Sequence, residues 1–279
     1  MSPEARGRGH RGAHAEFTAA VARAYDRTGL AWSGGPALVY DRMADALVAQ
    51  SPVPLGGRTV VDVGAGTGAA SLAVAAAGGR VVAVDLALGM LRANRADRAS
   101  VAGGVVADAV TLPLADRAVD GLVAAFSFNH LPEPAAGFRE AARVCRPGSP
   151  VLVAAYAAED DHPAKQAVEQ AAAEFGWEPE PWHTALRVTV STHLATVEGM
   201  LAAATAGGVA GVARTLVVDL PDLAPDAMVG WRMGMAQMAP FLATVDVATR
   251  RGIALRALAL LGPAPPPVRR SIIVFAGTT

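Results

Sequence analysis

The chain of 279 residues has a single cysteine, Cys145, and this scarcity limits its chemistry. One cysteine cannot form an intramolecular disulfide, and it cannot build a metal site from clustered thiolates. The helical and apolar surroundings of Cys145 favour a buried, inert thiol. A reducing compartment suits such a chain, so we expect a cytoplasmic protein.

The chain also lacks an excess of charge of either sign. Its 24 Lys and Arg residues nearly balance 25 Asp and Glu residues, for a net charge of −1. Nucleic-acid binding usually requires a basic face, so a nucleic-acid partner is not expected. No apolar run approaches the roughly eighteen residues that a membrane span needs, and residues 1 to 14 lack the apolar region of a secretion signal. These absences favour a small-molecule substrate and no membrane partner, and they leave homo-oligomerisation open.

The most informative stretch is an apolar run that ends in alternating glycines. It begins with Val60, includes Asp62, and continues through Gly64, Gly66 and Gly68 into an alanine-rich segment. This pattern predicts a buried strand, a tight turn and the start of a helix. Glycines allow the backbone to turn sharply and to approach a ligand closely, and a helix N-terminus attracts polar or anionic atoms. The stretch therefore predicts a loop for a nucleotide-type cofactor.

A dinucleotide-binding loop is an alternative, because Ala69 would complete its G-x-G-x-x-G/A spacing. Two features disfavour an NAD-dependent oxidoreductase. Asp62 stands inside the strand, where a buried ionisable group is costly unless something binds it, and the presence of Gly68 makes the glycine spacing tighter. Asp85 ends the next apolar run and is suited to accept hydrogen bonds from two ribose hydroxyls. Dinucleotides and other nucleotide-type cofactors both use such an acid, so Asp85 does not distinguish between them.

Strand and helix patterns alternate through the middle of the chain, which predicts an α/β fold with a doubly wound, mostly parallel sheet. We expect a flexible tail over residues 1–14, an N-terminal helical cap over 15–57, a cofactor-binding core over 58–157, and a remainder over 158–279 that completes a seven-stranded sheet and carries lid insertions. Strands are predicted near 59–63, 80–85, 103–107, 119–126, 150–156, 213–220 and 269–275; in similar folds the last of them runs antiparallel to the rest. In such sheets, ligands bind beyond the carboxyl ends of the strands, so the polar residues at those ends are expected to converge on one crevice.

Five ordered motifs carry a resemblance to a known family. They are Val61–Gly68, Asp85–Leu91, Ala107–Ala109 before Leu112–Leu114, Phe126–Leu131, and Arg143–Gly148. With these motifs the chain resembles class I S-adenosylmethionine-dependent methyltransferases, particularly the small-molecule group similar to the ubiquinone/menaquinone C-methyltransferases. The resemblance implies a Rossmann-like methyltransferase fold, S-adenosyl-L-methionine as cofactor and S-adenosyl-L-homocysteine as its product.

The resemblance also implies roles for individual residues. Gly64, Ala65, Gly66 and Gly68 would cradle the methionine portion and Asp85 would hold the ribose, while Met90 would pack on the adenine. Two aromatic residues of the cap, Tyr25 and Trp32, are suited to close over the sulfonium cation, although they can equally be packing residues at helix ends. Asp108 and the amide of Ala109 would read the adenine edge. The remaining predicted cofactor residues are Asp62, Leu86 and Phe126.

Candidates for catalysis and acceptor binding are less sharply marked. His130 is the first candidate base because it follows the fourth strand, with orientation of a loop or substrate as the alternative, and His183 is the second. The substrate-binding candidates are Asn129, Tyr156, Trp177, Trp182, Trp231 and Met235, several of which can equally be core residues.

Several charged residues in the second half of the chain can also be interpreted in two ways. Arg187, Arg232, Arg269 and Arg270 can bind a carboxylate or diphosphate, although solvated surface arginines are more common. Asp160, Asp161 and His162 are consecutive, so their side chains diverge, and we predict no metal site.

We therefore predict an enzyme that transfers a methyl group from S-adenosylmethionine to an oxygen, nitrogen or carbon atom of a small, largely apolar metabolite, in specialised metabolism. The main alternative is a protein of the same fold that binds the cofactor without methyl transfer, either a pericyclic-type catalyst or a binding protein. A nucleic-acid or protein methyltransferase is a further alternative. The charge balance disfavours nucleic acid, and Asn129-His130-Leu131-Pro132 differs from the Asn/Asp-Pro-Pro-Tyr/Phe pattern of amino methylation.

Overall fold

The computed structural model describes residues 3–95 and 101–279, with side chains from residue 15 onward. Its centre is a seven-stranded sheet in the order β3-β2-β1-β4-β5-β7-β6. The strands are β1 (Thr59–Val63), β2 (Arg80–Asp85), β3 (Val101–Val106), β4 (Gly121–Ala125), β5 (Pro150–Tyr156), β6 (Ala210–Leu220) and β7 (Val268–Thr278).

The first five strands run parallel, and β7 pairs antiparallel with both β5 and β6. The central strands are valine- and alanine-rich, and every residue of β5 except Tyr156 is buried. Such continuous apolar runs suit strands that helices cover on both faces. The predicted doubly wound, mostly parallel sheet of seven strands is confirmed, including the antiparallel last strand.

Helices flank both faces of the sheet, and two large clusters of buried apolar residues fill the space between the helices and the strands. The helices are α1 (Pro3–Asp26), α2 (Gly29–Gly34), α3 (Ala37–Val48), α4 (Ala69–Ala76), α5 (Leu88–Arg92), α6 (Pro134–Val144), α7 (Pro163–Ala173), α8 (Pro181–Ala185), α9 (Val197–Ala206), α10 (Pro225–Met233), α11 (Ala239–Leu242) and α12 (Val247–Leu261).

The N-terminal helix differs from the sequence prediction. We predicted a flexible tail over residues 1–14, but helix α1 begins at Pro3. Proline is well tolerated in the first turn of a helix, where its missing N–H has no partner to lose. The tail prediction is therefore replaced by helix from Pro3 onward, while residues 1 and 2 lie outside the described residues.

The segment after β5 contains more helix than the sequence indicated. Residues 176–183 are rich in proline and aromatic residues, a composition typical of a loop, but Pro181 starts α8, which continues as a π-helix over Leu186–Val190. Within the described ranges, no helix combines the length and the apolar character that crossing a membrane requires.

Candidate cofactor and acceptor site

A cavity lies at the carboxyl ends of β1, β2 and β4, and helix α1 forms its roof. Phe17, Thr18, Val21 and Ala22 of α1 line it from above. Of the predicted cofactor residues, the structure brings to this cavity Tyr25, Trp32, Asp62, Gly64, Ala65, Gly66, Asp85, Leu86, Met90, Asp108, Ala109 and Phe126. The cavity thus collects residues from five separate stretches of the chain, as expected for the ligand site of a doubly wound sheet.

The glycine loop is pinned against the neighbouring strand. Gly64 and Gly66 have φ values of 72° and 54°, which favour glycine. A Cβ atom on Gly64 would lie 2.2 Å from Cβ of Ser127, so a side chain has no room there. The backbone N–H groups of Gly64 and Ala65 donate to the carbonyl of Val84 at 2.7 and 2.9 Å. The loop is therefore held as a close backbone surface beneath the cavity.

Gly68 has a different role from the other two glycines. It precedes α4 as its N-cap with a φ of 93°, and a Cβ atom there would lie 2.4 Å from Oδ1 of Asn94. The structure does not bring Gly68 to the cavity. Gly68 permits the turn into the helix, and its contact with a cofactor stays a prediction.

Asp85 links the glycine loop to the end of β2. Its Oδ2 accepts the N–H of Gly66 and its Oδ1 accepts the N–H of Ala87, both at 2.8 Å. Burial raises the pKa of Asp85, while these backbone hydrogen bonds oppose the rise. A carboxylate can accept about four hydrogen bonds. Both oxygens therefore retain acceptor capacity for a pair of vicinal hydroxyls.

Asp62 is a buried carboxyl group that is only half satisfied. Its side chain is 1% exposed, and its Oδ2 accepts the hydroxyl of Ser71 at 2.7 Å. Its Oδ1 has no hydrogen-bond partner among the described residues. Burial raises the pKa of Asp62 to about 7, with the charge of Asp85 adding to the effect and Ser71 opposing it. An orphaned acceptor at the floor of the cavity fits a cationic donor such as the ammonium of an amino acid.

Two further residues fit the flat base of an adenosyl group. Met90 is 3% exposed, and its Cε would lie 3.3 Å from a Cβ on Gly66. Asp108 holds its own loop, because its Oδ1 accepts the N–H of Val110 at 3.1 Å. A thioether beside the loop and a carboxylate at the rim are compatible with apolar and polar contacts to a purine.

Phe126 ends β4 in a backbone conformation that is rare for its residue type. Its φ is 62°, a left-handed value that costs a bulky residue free energy. Its ring lies 5.3 Å from that of Tyr40 and 4.8 Å from that of Tyr156, and Tyr40 lies 4.7 Å from Trp32. These four residues form an aromatic cluster: Trp32, Tyr40 and Phe126 line the cavity, whereas Tyr156 does not and lies beside Arg270. Strained backbone at a ligand site is a common cost of placing a side chain for function.

The roof and the wall of the cavity meet at Tyr25 and His130. The hydroxyl of Tyr25 lies 3.1 Å from Nε2 of His130, and their rings cross at 89° with centroids 5.5 Å apart. Burial lowers the pKa of His130 to about 4, although the carbonyls of Phe126 and Ser127 favour the charged form. His130 is therefore neutral at pH 7 and is the one predicted catalytic residue that lines the cavity.

The second predicted catalytic residue, His183, lies in α8 beside the roof. Trp182 packs against Val21 and Ala24 of α1, and its ring lies 6.5 Å from that of Tyr25. His183 is 7% exposed, and burial is the main cause that lowers its pKa to about 4. The structure does not bring His183 or Trp182 to the cavity wall, although α8 braces the helix that roofs it.

The other substrate-binding candidates lie behind the cavity. Trp177 packs among α7, α10 and α12, and its indole N–H donates to the carbonyl of Gln237 at 3.1 Å. Asn129 is buried in a short 3-10 helix. Tyr156, Trp231 and Met235 belong to the main cluster of apolar residues beside the aromatic cluster. None of these five residues lines the cavity as the described part of the chain forms it.

Two of the four candidate arginines are buried, which the sequence did not indicate. Arg187 and Arg269 are exposed, whereas Arg232 and Arg270 are 8% and 5% exposed. Arg270 forms an ion pair with Asp160, whose Oδ1 also accepts the N–H of Ser271 at 2.8 Å. His162 caps α7, because its Nδ1 accepts the N–H of Ala164 at 3.2 Å. Among the described residues, no three His, Cys, Asp or Glu side chains cluster as metal ligands.

Sequence reasoning missed the cavity-lining face of α1. Phe17, Thr18, Val21, Ala22 and Tyr25 recur at the three- and four-residue spacing of one helical face. That periodicity was visible in the sequence, but it does not reveal which surface the helix covers.

Comparisons with known proteins agree with this geometry. Residues 61–153 match the family model described as Methyltransferase domain. The demethylmenaquinone methyltransferase of Clavibacter sepedonicus is 35% identical over 138 residues, which cover 48% of this chain and 54% of that protein. The chain thus spans about half the length of the curated relatives that it matches.

Solved structures are similar in fold over most of the chain. A methyltransferase from an antibiotic biosynthesis pathway of Anabaena variabilis has a TM-score of 0.56 at 19% identity, over 85% of this chain and 96% of that one. The [4+2]-cyclase SpnF has a TM-score of 0.53 at 20% identity, over 85% and 81% of the two chains. The matches confirm the predicted methyltransferase fold and the resemblance to class I S-adenosylmethionine-dependent methyltransferases similar to quinone C-methyltransferases.

Proposed function

We propose that this chain, whose residues 61–153 form a class I methyltransferase domain, transfers the methyl group of S-adenosylmethionine to a small molecule. The observation that carries the proposal is the placement of two carboxylates beside the glycine loop: Asp62 in β1 just before it, and Asp85 at the end of β2, which accepts the N–H of Gly66. The unpartnered Oδ1 of Asp62 fits a cationic amino group, and the two oxygens of Asp85 fit a ribose diol.

The residues of the loop fit the rest of such a cofactor. No side chain can be added at Gly64 without meeting Ser127, so the backbone itself forms the contact surface. Bound S-adenosylmethionine supplies an electrophilic methyl group on a sulfonium. The faces of Tyr25 and Trp32 are suited to attract that positive charge and to keep water from it.

Catalysis by this chain rests mainly on positioning. Methyl transfer is an in-line displacement, so holding two reactants at near-attack distance supplies much of the rate. The acceptor would lie between α1 and the aromatic cluster, next to His130. In the tautomer with the proton on Nδ1, Nε2 of His130 accepts the hydrogen of Tyr25, so an acceptor must take the place of Tyr25 to deliver a proton there.

His130 is a weak general base because its pKa is lowered to about 4. A base of this strength is poorly matched to a neutral phenol or enol before the reaction, and it can take the proton only once methyl transfer has made the acceptor strongly acidic. We propose that His130 is the general base. His183 would support it indirectly, because it lies in α8, the helix that packs against the roof helix α1. The acceptor is then a small, largely apolar metabolite, and specialised metabolism is the setting that we propose.

A protein that binds the cofactor without methyl transfer is the second candidate. The cyclase SpnF has a similar fold, which shows that the fold alone does not define the reaction. Because its pKa is lowered to about 4, His130 can equally serve to orient a ligand by hydrogen bonding without taking a proton. Conversion of the cofactor to S-adenosylhomocysteine separates the two functions.

The proposal is tested by calorimetric titration with S-adenosylmethionine, S-adenosylhomocysteine and NAD. We expect both adenosyl compounds to bind and NAD to bind at least tenfold more weakly. Asp85→Ala removes two charge-assisted acceptors and should weaken adenosyl binding by about 1 to 3 kcal/mol.

Asp116→Ala is the matched control, because that carboxylate is 74% exposed and pairs with Arg143 on the surface. The control should bind as the wild type does. Wild-type affinity in Asp85→Ala, or a preference for NAD, would contradict the proposed site. Binding without any detectable S-adenosylhomocysteine formation across an acceptor screen would favour the second candidate.

A further inference from the structure

A buried guanidinium without a counter-ion lies behind the aromatic cluster. Arg232 is 8% exposed at the end of α10, and within the described ranges it forms no ion pair or hydrogen bond. Its Nε is buried and has no partner among the described residues. Burying a charged group without a partner is strongly unfavourable, so this position calls for an anion.

Of the two buried arginines in this region, Arg232 is the one without an ion pair among the described residues. Arg270 forms an ion pair with Asp160, whereas Glu169 attracts the charge of Arg232 without an ion pair between them. Both guanidinium groups lie beside Trp231, with their carbon atoms 5.1 Å and 4.8 Å from the centroid of its ring. The site is therefore a positively charged, aromatic-lined region in the interior.

Other unpartnered polar atoms surround the same region. The hydroxyl of Tyr156 and the indole N–H of Trp231 are buried and have no hydrogen-bond partner among the described residues. Arg270 lies 4.7 Å above the ring of Tyr156, so the hydroxyl is in the field of two arginines. In the described part of the chain, four of the buried atoms without a hydrogen-bond partner can donate a hydrogen, on Tyr156, Trp231, Arg232 and Arg270, whereas Oε1 of Glu169, whose charge acts on Arg232, can only accept one. Donors are therefore in excess, which is the composition of an anion-binding site.

This region is adjacent to the cofactor cavity. The ring of Tyr156 lies 4.8 Å from that of Phe126, and Phe126 lines the cavity. Tyr40 contacts both rings and also lines the cavity. A molecule that reaches past this aromatic cluster would place one end by the cavity and the other by Arg232.

We propose that the methyl acceptor carries a carboxylate, and that Arg232 binds this group behind the aromatic cluster. The proposal rests on the proposed methyl transfer and narrows its substrate class from a largely apolar molecule to an apolar molecule with one anionic end. Nε and one terminal nitrogen of a guanidinium match the two oxygens of a carboxylate, which explains why an arginine with a free Nε suits this position.

The test compares carboxylic acids with their neutral primary amides. Wild-type protein saturated with S-adenosylhomocysteine is titrated with benzoate, phenylacetate, 4-hydroxyphenylacetate and hexanoate, each beside its amide, and ligand-observed NMR gives the dissociation constants. We expect at least one acid to bind about tenfold or more tightly than its amide, because a charge-assisted pair is the stronger contact.

Arg232→Gln should abolish this preference. Arg269→Gln is the matched control, since Arg269 is a neighbour of Arg270 on β7 but has a side chain that is 70% exposed. Arg232→Lys keeps the positive charge but loses the planar, two-pronged guanidinium. The preferred acid should therefore bind this variant more weakly than it binds the wild type, but still more tightly than the corresponding amide does. The lysine variant decides the question if the glutamine variant does not fold.

Three outcomes would overturn the proposal: no acid preferred over its amide in the wild type, a preference that persists in Arg232→Gln, or an unchanged acid affinity in Arg232→Lys. Titration with S-adenosylhomocysteine accompanies each protein. Failure of the wild type to bind it would count against the proposed function, whereas normal binding without acid preference would count against the carboxylate site alone.

Discussion

Asp62 carries a testable pH dependence of stability. Its pKa is raised to about 7 from a usual value of 3.8. Between these values the folded protein retains a proton that the unfolded chain releases, so the contribution of Asp62 to stability increases as the pH falls from 8 towards 4. From pH 8 to pH 5, this contribution amounts to about 2 to 3 kcal/mol. Asp62→Asn cannot titrate and should lack that gain, which urea unfolding of the ligand-free protein at both pH values would measure.

The wild type must be compared with Asp62→Asn because other titrating groups change the stability in the opposite direction as the pH falls. His130 and His183 have pKa values lowered to about 4, so acidification below pH 6.5 protonates them in the unfolded chain first and destabilises the fold. Asp45→Asn is the control, because Asp45 is exposed on α3. It should follow the wild type, and a wild-type pH dependence in Asp62→Asn would contradict the assignment.

Individual residues differ in how readily the sequence predicts them. Asp62 and Asp85 were found because their positions relative to the glycines identify strand ends. Arg232 was not distinguished from Arg269, because no local pattern indicates that the arginine on α10 is buried and the one on β7 exposed. Burial of a charged side chain depends on contacts between distant elements, which neighbouring residues do not encode.

At the scale of elements, one glycine of the loop and one glycine outside it offer a matched pair of substitutions. Gly64 and Gly57 have nearly the same φ, 72° and 73°, but a Cβ on Gly64 would meet Ser127 at 2.2 Å while one on Gly57 would have no atom within 4 Å. Gly57→Ala should cost about 1 to 2 kcal/mol from backbone strain alone. Gly64→Ala should cost about 1 to 3 kcal/mol more, because Ser127 must move.

Urea unfolding measures both costs, and calorimetry with S-adenosylhomocysteine measures the effect on the loop. Gly57 lies outside the cavity, so Gly57→Ala should bind the ligand normally, whereas Gly64→Ala should bind it at least tenfold more weakly. Equal destabilisation by the two substitutions would show that the contact with Ser127 is unimportant.

Elements themselves were predicted where the sequence carries a strong periodic signal. Valine-rich runs bounded by glycines marked the parallel strands correctly, and β6 and β7 were found although both are longer than predicted. Helix α1 was missed over its first part because Gly7, Gly9 and Gly12 have low helix propensity. Helix α8 was missed because its proline- and aromatic-rich sequence is typical of a loop. Its helical turn is stabilised by packing against α1, which the local sequence does not show.

On the scale of the whole molecule, the sheet was predictable and the enclosure of the site was not. Strand ends in a doubly wound sheet must converge, so the floor of the cavity followed from the order of the motifs. The roof depends on how α1, α2 and α8 pack over that floor, and these contacts join residues more than one hundred positions apart, such as Tyr25 and His130. Such contacts leave no signal in a single sequence.

The position of α1 leads to a last prediction, on the motion of the molecule. This helix lines the cavity with one face, and its C-terminal end is tied to α5, because Oδ1 of Asp26 accepts the N–H of Gly89 at 2.7 Å. We expect a ligand of the size of S-adenosylhomocysteine to enter when this roof opens, with residues 15–26 exchanging between closed and open forms. Bound ligand contacts only the closed form in full and should shift the population towards it. We expect hydrogen exchange of residues 15–26 to slow on binding, while exchange of the distant edge strand β6 stays unchanged and serves as the internal control. Asp26→Ala should raise exchange of the same helix in the ligand-free protein, and identical exchange with and without ligand would show that α1 is not the moving roof.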